Sequence, residues 1–324
     1  MSQISRKSTS LPTNASRLGV FQQRFPWLYA FWKFSRPHTI IGTSLSVLAL
    51  GTIAISEVGG ADLGHLVLVL LFALLACLCG NVYIVGLNQL EDIDIDRINK
   101  PHLPLASGEF SRPEALRIVI VTGVLAIALS LSQGIFLFAT VGLSLIIGTA
   151  YSLPPIRLKR FPVWASLCIF TVRGVIVNLG LFLHFQQKLG GAIQIPPSVW
   201  ALTLFILGFT FAIAIYKDIP DLEGDRRYRI NTFTLRLGAK TVFNLARWVI
   251  TVCYGAMAIA GFWLPGVNGL FLSVTHLLGV GMLWWGTRAV DLSDRGAIAR
   301  SYQFIWKLFF LEYLIFPVAC LLQI

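Results

Sequence analysis

Long apolar runs alternate with short polar breaks along almost the whole chain. A helix crossing the hydrocarbon core of a bilayer needs roughly 20 predominantly apolar residues. Nine runs reach that length: about 38–56, 63–89, 114–132, 134–152, 162–185, 197–217, 240–262, 266–288 and 300–323. Gly, Pro and charged residues fill the gaps, most clearly at Pro154-Pro155, Pro196-Pro197 and Pro265-Gly266. The pattern predicts an all-α, polytopic membrane protein. Residues 1–37 form a polar tail with an interfacial segment, Phe25 to Phe34, and residues 38–324 form the nine-helix transmembrane domain.

Composition agrees with the pattern. Of 324 residues, 56% are hydrophobic and 13% charged, against about 25% charged in soluble domains. The five cysteines (Cys77, Cys79, Cys168, Cys253 and Cys320) all lie in apolar runs, which excludes a disulfide framework in exposed loops. Cys77 and Cys79, two residues apart on a helix, face different directions and do not read as a metal pair. The first 37 residues contain no acid, a composition shared with transit peptides. A tail ending in an interfacial segment is the simpler reading.

Charge placement tests the span count. Of 26 Lys and Arg, three (Arg173, Arg247 and Lys307) fall inside predicted spans and Lys188 falls in a loop of one side. All the others fall on the opposite side. This asymmetry is the positive-inside rule, and it puts the N-terminus and the basic loops in the cytoplasm or its equivalent. It also accounts for the net charge of +11, so nucleic acid is not an expected partner.

More than half of the 15 carboxylates sit in two short stretches at the basic-side ends of the second and sixth spans. Glu91, Asp92, Asp94 and Asp96 form one; Asp218, Asp221, Glu223 and Asp225 form the other. Asn88, Asp92 and Asp96 recur every four residues, and Asp218, Asp221 and Asp225 at three and four. That spacing predicts one face of a continued helix for each set. Clustered carboxylates at a membrane need a positive partner. Mg²⁺ suits them, because it takes oxygen ligands and binds through a few carboxylates plus substrate phosphates. Two such faces around one cavity would hold ions and a diphosphate. An EF-hand reading of the first cluster fails at Arg97 and Leu103, where Gly and Glu are required.

A diphosphate also calls for protein cations. The candidates are Arg36 before the first span, Lys100 and Arg112 after the first acidic cluster, Arg157 and Lys159 after Tyr151-Ser-Leu-Pro-Pro155, and Lys217 before the second cluster. Arg173 lies inside a span, where an Arg is costly and usually functional, so it is expected to pair with acid or to line the cavity. Tyr83, Gln89 and Tyr151 are candidates for contact with the acceptor or for the cavity wall, Tyr83 through cation–π contact with an allylic cation. His38 and His102 lie on the same side. A divalent-cation transporter remains a rival of another class, although it should carry carboxylates nearer the bilayer midplane.

Asn88-Gln-Leu-Glu-Asp92-Ile-Asp-Ile-Asp96 resembles the N-D-x-x-D-x-x-x-D motif of the UbiA superfamily of prenyltransferases, and Asp218-Ile-Pro-Asp221-Leu-Glu-Gly-Asp225 resembles its D-x-x-D-x-x-x-D motif. Gln89 stands where that pattern has Asp. The resemblance implies a nine-helix bundle around a central cavity. It implies Mg²⁺ and diphosphate held through Asn88, Asp92, Asp96, Asp218, Asp221 and Asp225. The longer strings 85–108 and 216–225 are similar to the homogentisate-using branch of the family. That branch implies phytyl diphosphate as donor and homogentisate as acceptor, whose acetate arm would dock on Arg36, Lys100 or Arg157. It further implies loss of CO₂, 2-methyl-6-phytylbenzoquinol as product, and a role in tocopherol synthesis. Related members with geranylgeranyl or solanesyl diphosphate, or with chlorophyllide, are the alternatives. The expected location is a cyanobacterial thylakoid or plasma membrane with the site facing the cytoplasm.

Overall fold

The structure, a computed structural model, describes residues 20–60, 62–222 and 232–323. Among them, nine helices are long and apolar enough to span a membrane. In chain order these spans are Pro37–Val58, Leu63–Glu91, Arg112–Gln133, Ile135–Ser152, Val163–Leu189, Pro197–Tyr216, Ala239–Ala260, Gly269–Thr287 and Arg295–Leu321. They are the nine runs of the sequence, with ends moved by a few residues. Caps explain several of the starts. Asp62, Ser111 and Asn268 accept hydrogen bonds from His65, Glu114 and Phe271 backbone N–H groups, each worth about 1 kcal/mol. Ser111 and Glu114 complete a capping box.

Packing follows a ring. The first span touches the second, fifth and ninth; the second touches the third and fourth; the fourth touches the fifth, and the fifth the sixth. The sixth continues to the seventh and ninth, the seventh to the eighth, and the eighth to the ninth. Leu71, Val124, Ile146, Leu204, Trp248 and Val252 stay exposed on the outside, as a lipid-facing surface requires. The interior differs from an ordinary core in holding a cavity of about 270 Å³, lined by the first, second, fourth, fifth, sixth and ninth spans.

The expected interfacial segment is the helix Pro26–Phe34. It buries Ala30 and Phe34 and exposes Phe25, Trp27, Leu28 and Trp32, the aromatic composition of a membrane-interface anchor. Lys33 pairs with Glu109 and ties this helix to the segment that follows the first acidic cluster.

Among the described residues, neither acidic segment continues its span as one helix, contrary to the sequence expectation. The second span stops at Glu91, Asp92 adopts φ −116° and ψ 20°, and a separate short helix runs Ile93–Asn99. Repulsion along a row of carboxylates disfavours an unbroken helix, and the break turns Asp92 toward cations of another loop. The sixth span stops at Tyr216, and Lys217 to Asp221 form a run of turns. Pro220 explains this, since it lacks an N–H and pushes Ile219 away from helical geometry. The fifth span is also interrupted, by a π-helical turn at Thr171–Ile176.

Candidate active site

Asn88 occupies the last turn of the second span and faces the cavity, on the stripe that also carries Cys77, Gly80, Asn81, Ile84 and Val85. Its amide accepts from Arg36 Nη2 at 3.2 Å and donates to Asp92 Oδ2 at 3.1 Å. Asp92 also receives Lys159 Nζ at 2.6 Å and Arg157 Nη2 at 3.2 Å. Its side chain is only 14% exposed, so these pairs are far less screened than surface ion pairs.

The second half of the site is joined to the first by Lys100. Its Nζ lies 2.5 Å from Asp221 Oδ2 and 4.0 Å from Asp96 Oδ1. One lysine therefore spans the two acidic segments, which places them at one end of the bundle and within reach of one headgroup. Lys217 donates to the Tyr151 hydroxyl at 3.1 Å on the cavity wall. Asp225 lies outside the described residues.

Burial tunes these groups. It raises Asp218 to about 6, against the pull of Lys217. It also raises Asp96 above the usual carboxylate range, and one oxygen of Asp96 is buried without a partner. Burial works most strongly against the charge of Lys100, but Asp221 and Asp96 together hold that pKa up. For Lys159 burial wins over Asp92, and the pKa falls.

Backbone strain gathers at the same place. Among the described residues, Arg36 (φ 53°) and Arg157 (φ 41°) are the non-glycine residues with positive φ. Both aim at the Asn88–Asp92 pair. A left-handed conformation costs a non-glycine residue on the order of 1–2 kcal/mol, here offset by the contacts each side chain makes. Nothing in the sequence marks these two conformations.

Several expected residues do not reach the cavity. Tyr83 lies off the stripe of the second span; its ring packs on Gly123 and its hydroxyl meets Thr149 Oγ1 at 2.8 Å. Gln89 projects about 100° round the helix from Asn88, off the cavity face. It is buried and donates to the Phe34 carbonyl at 2.7 Å, which locks the helix Pro26–Phe34 to the second span. Arg112 is exposed at the first turn of the third span, because the Ser111 cap and Pro113 direct the chain outward. Arg36, Lys100 and Arg157, expected to dock the acceptor's acid group, are each engaged with Asn88 or an aspartate. Residues the sequence reading missed include Trp306 and Tyr302 of the ninth span and Thr43, Ser46 and Ser144 on the wall. None carries a local signal; only the packing of distant spans brings them together.

The model of the UbiA prenyltransferase family matches residues 44–308. The chain belongs to this family. It is 56% identical over 295 residues to the homogentisate phytyltransferase of Synechocystis, covering 90% of this chain and 96% of that protein. It is 40% identical over 294 residues to the chloroplastic homogentisate solanesyltransferase of Arabidopsis thaliana, covering 89% and 76%. A UbiA homolog from Archaeoglobus fulgidus, solved bound to GPP and Mg²⁺, matches in fold with a TM-score of 0.60 at 18% identity, covering 89% of this chain and 99% of the other. The shared UbiA fold and the paired acidic segments agree with each other.

Among the described residues no three acidic, His or Cys side chains gather tightly enough to hold a metal alone. The donor set nevertheless fits a hard cation. The acids offer oxygens only, Asp96 keeps one oxygen free, and Mg²⁺ usually takes the rest of its shell from substrate phosphate and water.

Proposed function

We propose that the protein transfers a phytyl group from phytyl diphosphate to homogentisate with loss of CO₂, giving 2-methyl-6-phytylbenzoquinol, in a Mg²⁺-dependent reaction. The observation that carries prenyl transfer is the convergence of two acidic segments, joined through Lys100, at the mouth of a mainly apolar cavity. Identity to the Synechocystis enzyme supports this donor and acceptor. The acids lie at or beyond the ends of the spans rather than mid-bundle, which favours this reading over ion transport.

Asn88, Asp92, Asp96, Asp218 and Asp221, with Asp225 by resemblance, would hold Mg²⁺. When bound, the ion neutralises charge on the departing diphosphate. Arg36, Lys100, Arg157 and Lys159 already stand beside those acids. On substrate binding each is free to exchange its protein partner for a phosphate oxygen, and until then these cations offset the charge of the acids. The allylic C–O bond breaks with its electron pair going to the diphosphate. The apolar wall below the motifs keeps water from the resulting cation, and the rings of Tyr151 and Trp306 face the same space. A ring carbon of the hydroquinone then bonds to the prenyl carbon and loses a proton; the CH₂–CO₂⁻ bond of the acetate arm breaks to release CO₂, and the electron pair left on the CH₂ carbon takes up a proton to give the methyl group. The apolar lower cavity suits the prenyl tail, at about 0.8 kcal/mol per buried CH₂. The excess of basic residues on the motif side supports a site at the cytoplasmic face.

Purified protein in lipid nanodiscs, given homogentisate, Mg²⁺ and in turn phytyl, geranylgeranyl and solanesyl diphosphate, tests this. The phytyl donor is expected to give the fastest product formation, and chelation of the metal to abolish it. Absence of product with all three donors overturns the assignment.

A further inference from the structure

Arg173 is the cavity cation that the diphosphate machinery does not use. It sits on the π-helical turn Thr171–Ile176, a feature that often marks functional positions. The turn packs tightly on the sixth span, where a Cβ on Gly174 would lie 2.8 Å from Leu207 Cα. The side chain reaches across the cavity to the first span. A Cβ on Gly42 would lie 2.9 Å from Arg173 Nη1, so Gly42 makes the room the guanidinium occupies. Gly42 stands about 8 Å of helix rise inward from Pro37, deeper than Arg36 and the acidic motifs.

Its surroundings are aromatic, not acidic. The guanidinium carbon is 5.1 Å from the Trp306 ring centroid and 5.7 Å from that of Phe309. The His38 ring lies 4.9 Å from Trp306 on the same wall. Among the described residues, Arg36, Lys100, Arg157 and Lys159 each contact a motif side chain, and Lys217 contacts Tyr151. No carboxylate of a described residue pairs with Arg173. Ring faces stabilise a guanidinium but leave its hydrogen-bonding fork open. An uncompensated cation beside a site that generates an allylic cation also opposes the reaction by like-charge repulsion. A substrate carboxylate would remove both problems, with bidentate geometry.

We infer that Arg173 is the acceptor-docking residue: its fork binds the carboxylate of an aromatic acid whose ring lies against Trp306 and His38. This rests on the proposed function and adds to it the group that selects an acidic acceptor. The cations at the mouth are thereby kept for the diphosphate.

The test compares wild type with Arg173→Gln and Arg173→Lys in nanodiscs. It measures homogentisate KM, prenyl diphosphate KM and direct binding of the Mg²⁺–prenyl diphosphate. For Arg173→Gln the homogentisate KM should rise at least about tenfold, the loss expected for a charge-assisted hydrogen bond, while donor KM and donor binding stay within about twofold. Arg173→Lys should recover part of the loss, because it keeps the charge without the fork. Gly42→Ala, which crowds the guanidinium instead of removing it, should raise the homogentisate KM in the same direction. Absence of turnover by the wild type overturns the functional reading and this inference with it. Wild-type turnover with the homogentisate KM unmoved in Arg173→Gln overturns this inference alone. Should Arg173→Gln lose donor binding through misfolding, Arg173→Lys decides, and an unchanged acceptor KM there overturns the inference.

Discussion

The mouth of the cavity and the wedge between the seventh, eighth and ninth spans handle buried charge in opposite ways. In the wedge, one fully buried pair suffices. His276 Nε2 faces Glu312 Oε2 at 3.0 Å, His276 Nδ1 bonds the Leu272 carbonyl at 2.7 Å, and Phe205 and Tyr254 pack against the imidazole in T-shaped geometry. The helices around it run unbroken, even past Pro317 in the ninth span. At the mouth, Asn88, Asp92, Asp96 and Asp221 share four cations, two arginines adopt positive φ, and two spans give way to turns at the acidic segments. A charge held only for structure rests beside one buried partner in an unbroken helix, even with a second carboxylate oxygen of Glu312 left without one. A charge held for substrate is left exchangeable, and the backbone bends to keep it so.

Substitutions that damage one region and spare the other sharpen this contrast. Asp92→Ala and Asp221→Ala should lower transfer by about a thousandfold or more, as expected when transition-state charge stabilisation is lost, in a protein that still folds but unfolds at a somewhat lower temperature because buried cations lose a partner. Substantial turnover at saturating Mg²⁺ would break the comparison. Glu312→Ala should do the reverse. Removing one member of a buried pair destabilises by on the order of 3 kcal/mol, visible as a lower unfolding temperature in detergent, while the folded fraction keeps wild-type KM for both substrates. A selective loss of kcat with unaltered stability would move Glu312 into the catalytic region. Tyr83→Phe should cost about 1 kcal/mol through the lost bond to Thr149 and change activity less than about twofold; a tenfold fall would return Tyr83 to a role in the reaction. Arg112→Ala, at an exposed position, should leave both stability and donor KM within error.

The difference between what the chain alone determined and what folding decided is clearest at single residues. The nine spans were legible because each is a continuous run of apolar side chains, and a bilayer imposes a length on such runs. The acidic segments were legible because carboxylates at the ends of spans are costly and stand out by spacing. Local readings failed where neighbours in the chain diverge in space. Asn88 and Gln89 are adjacent, yet one faces the cavity and the other clamps the helix Pro26–Phe34. Tyr83 misses the cavity stripe by one position. Which cation meets which acid depended on loops far apart in sequence, as with Lys159 and Asp92. That Arg173 has rings and not acids around it depended on the ninth span closing against the first. Periodicity and hydropathy are properties of a segment and survive in the sequence; the pairing of charges across a cavity is a property of distance, and distance exists only once the bundle has closed.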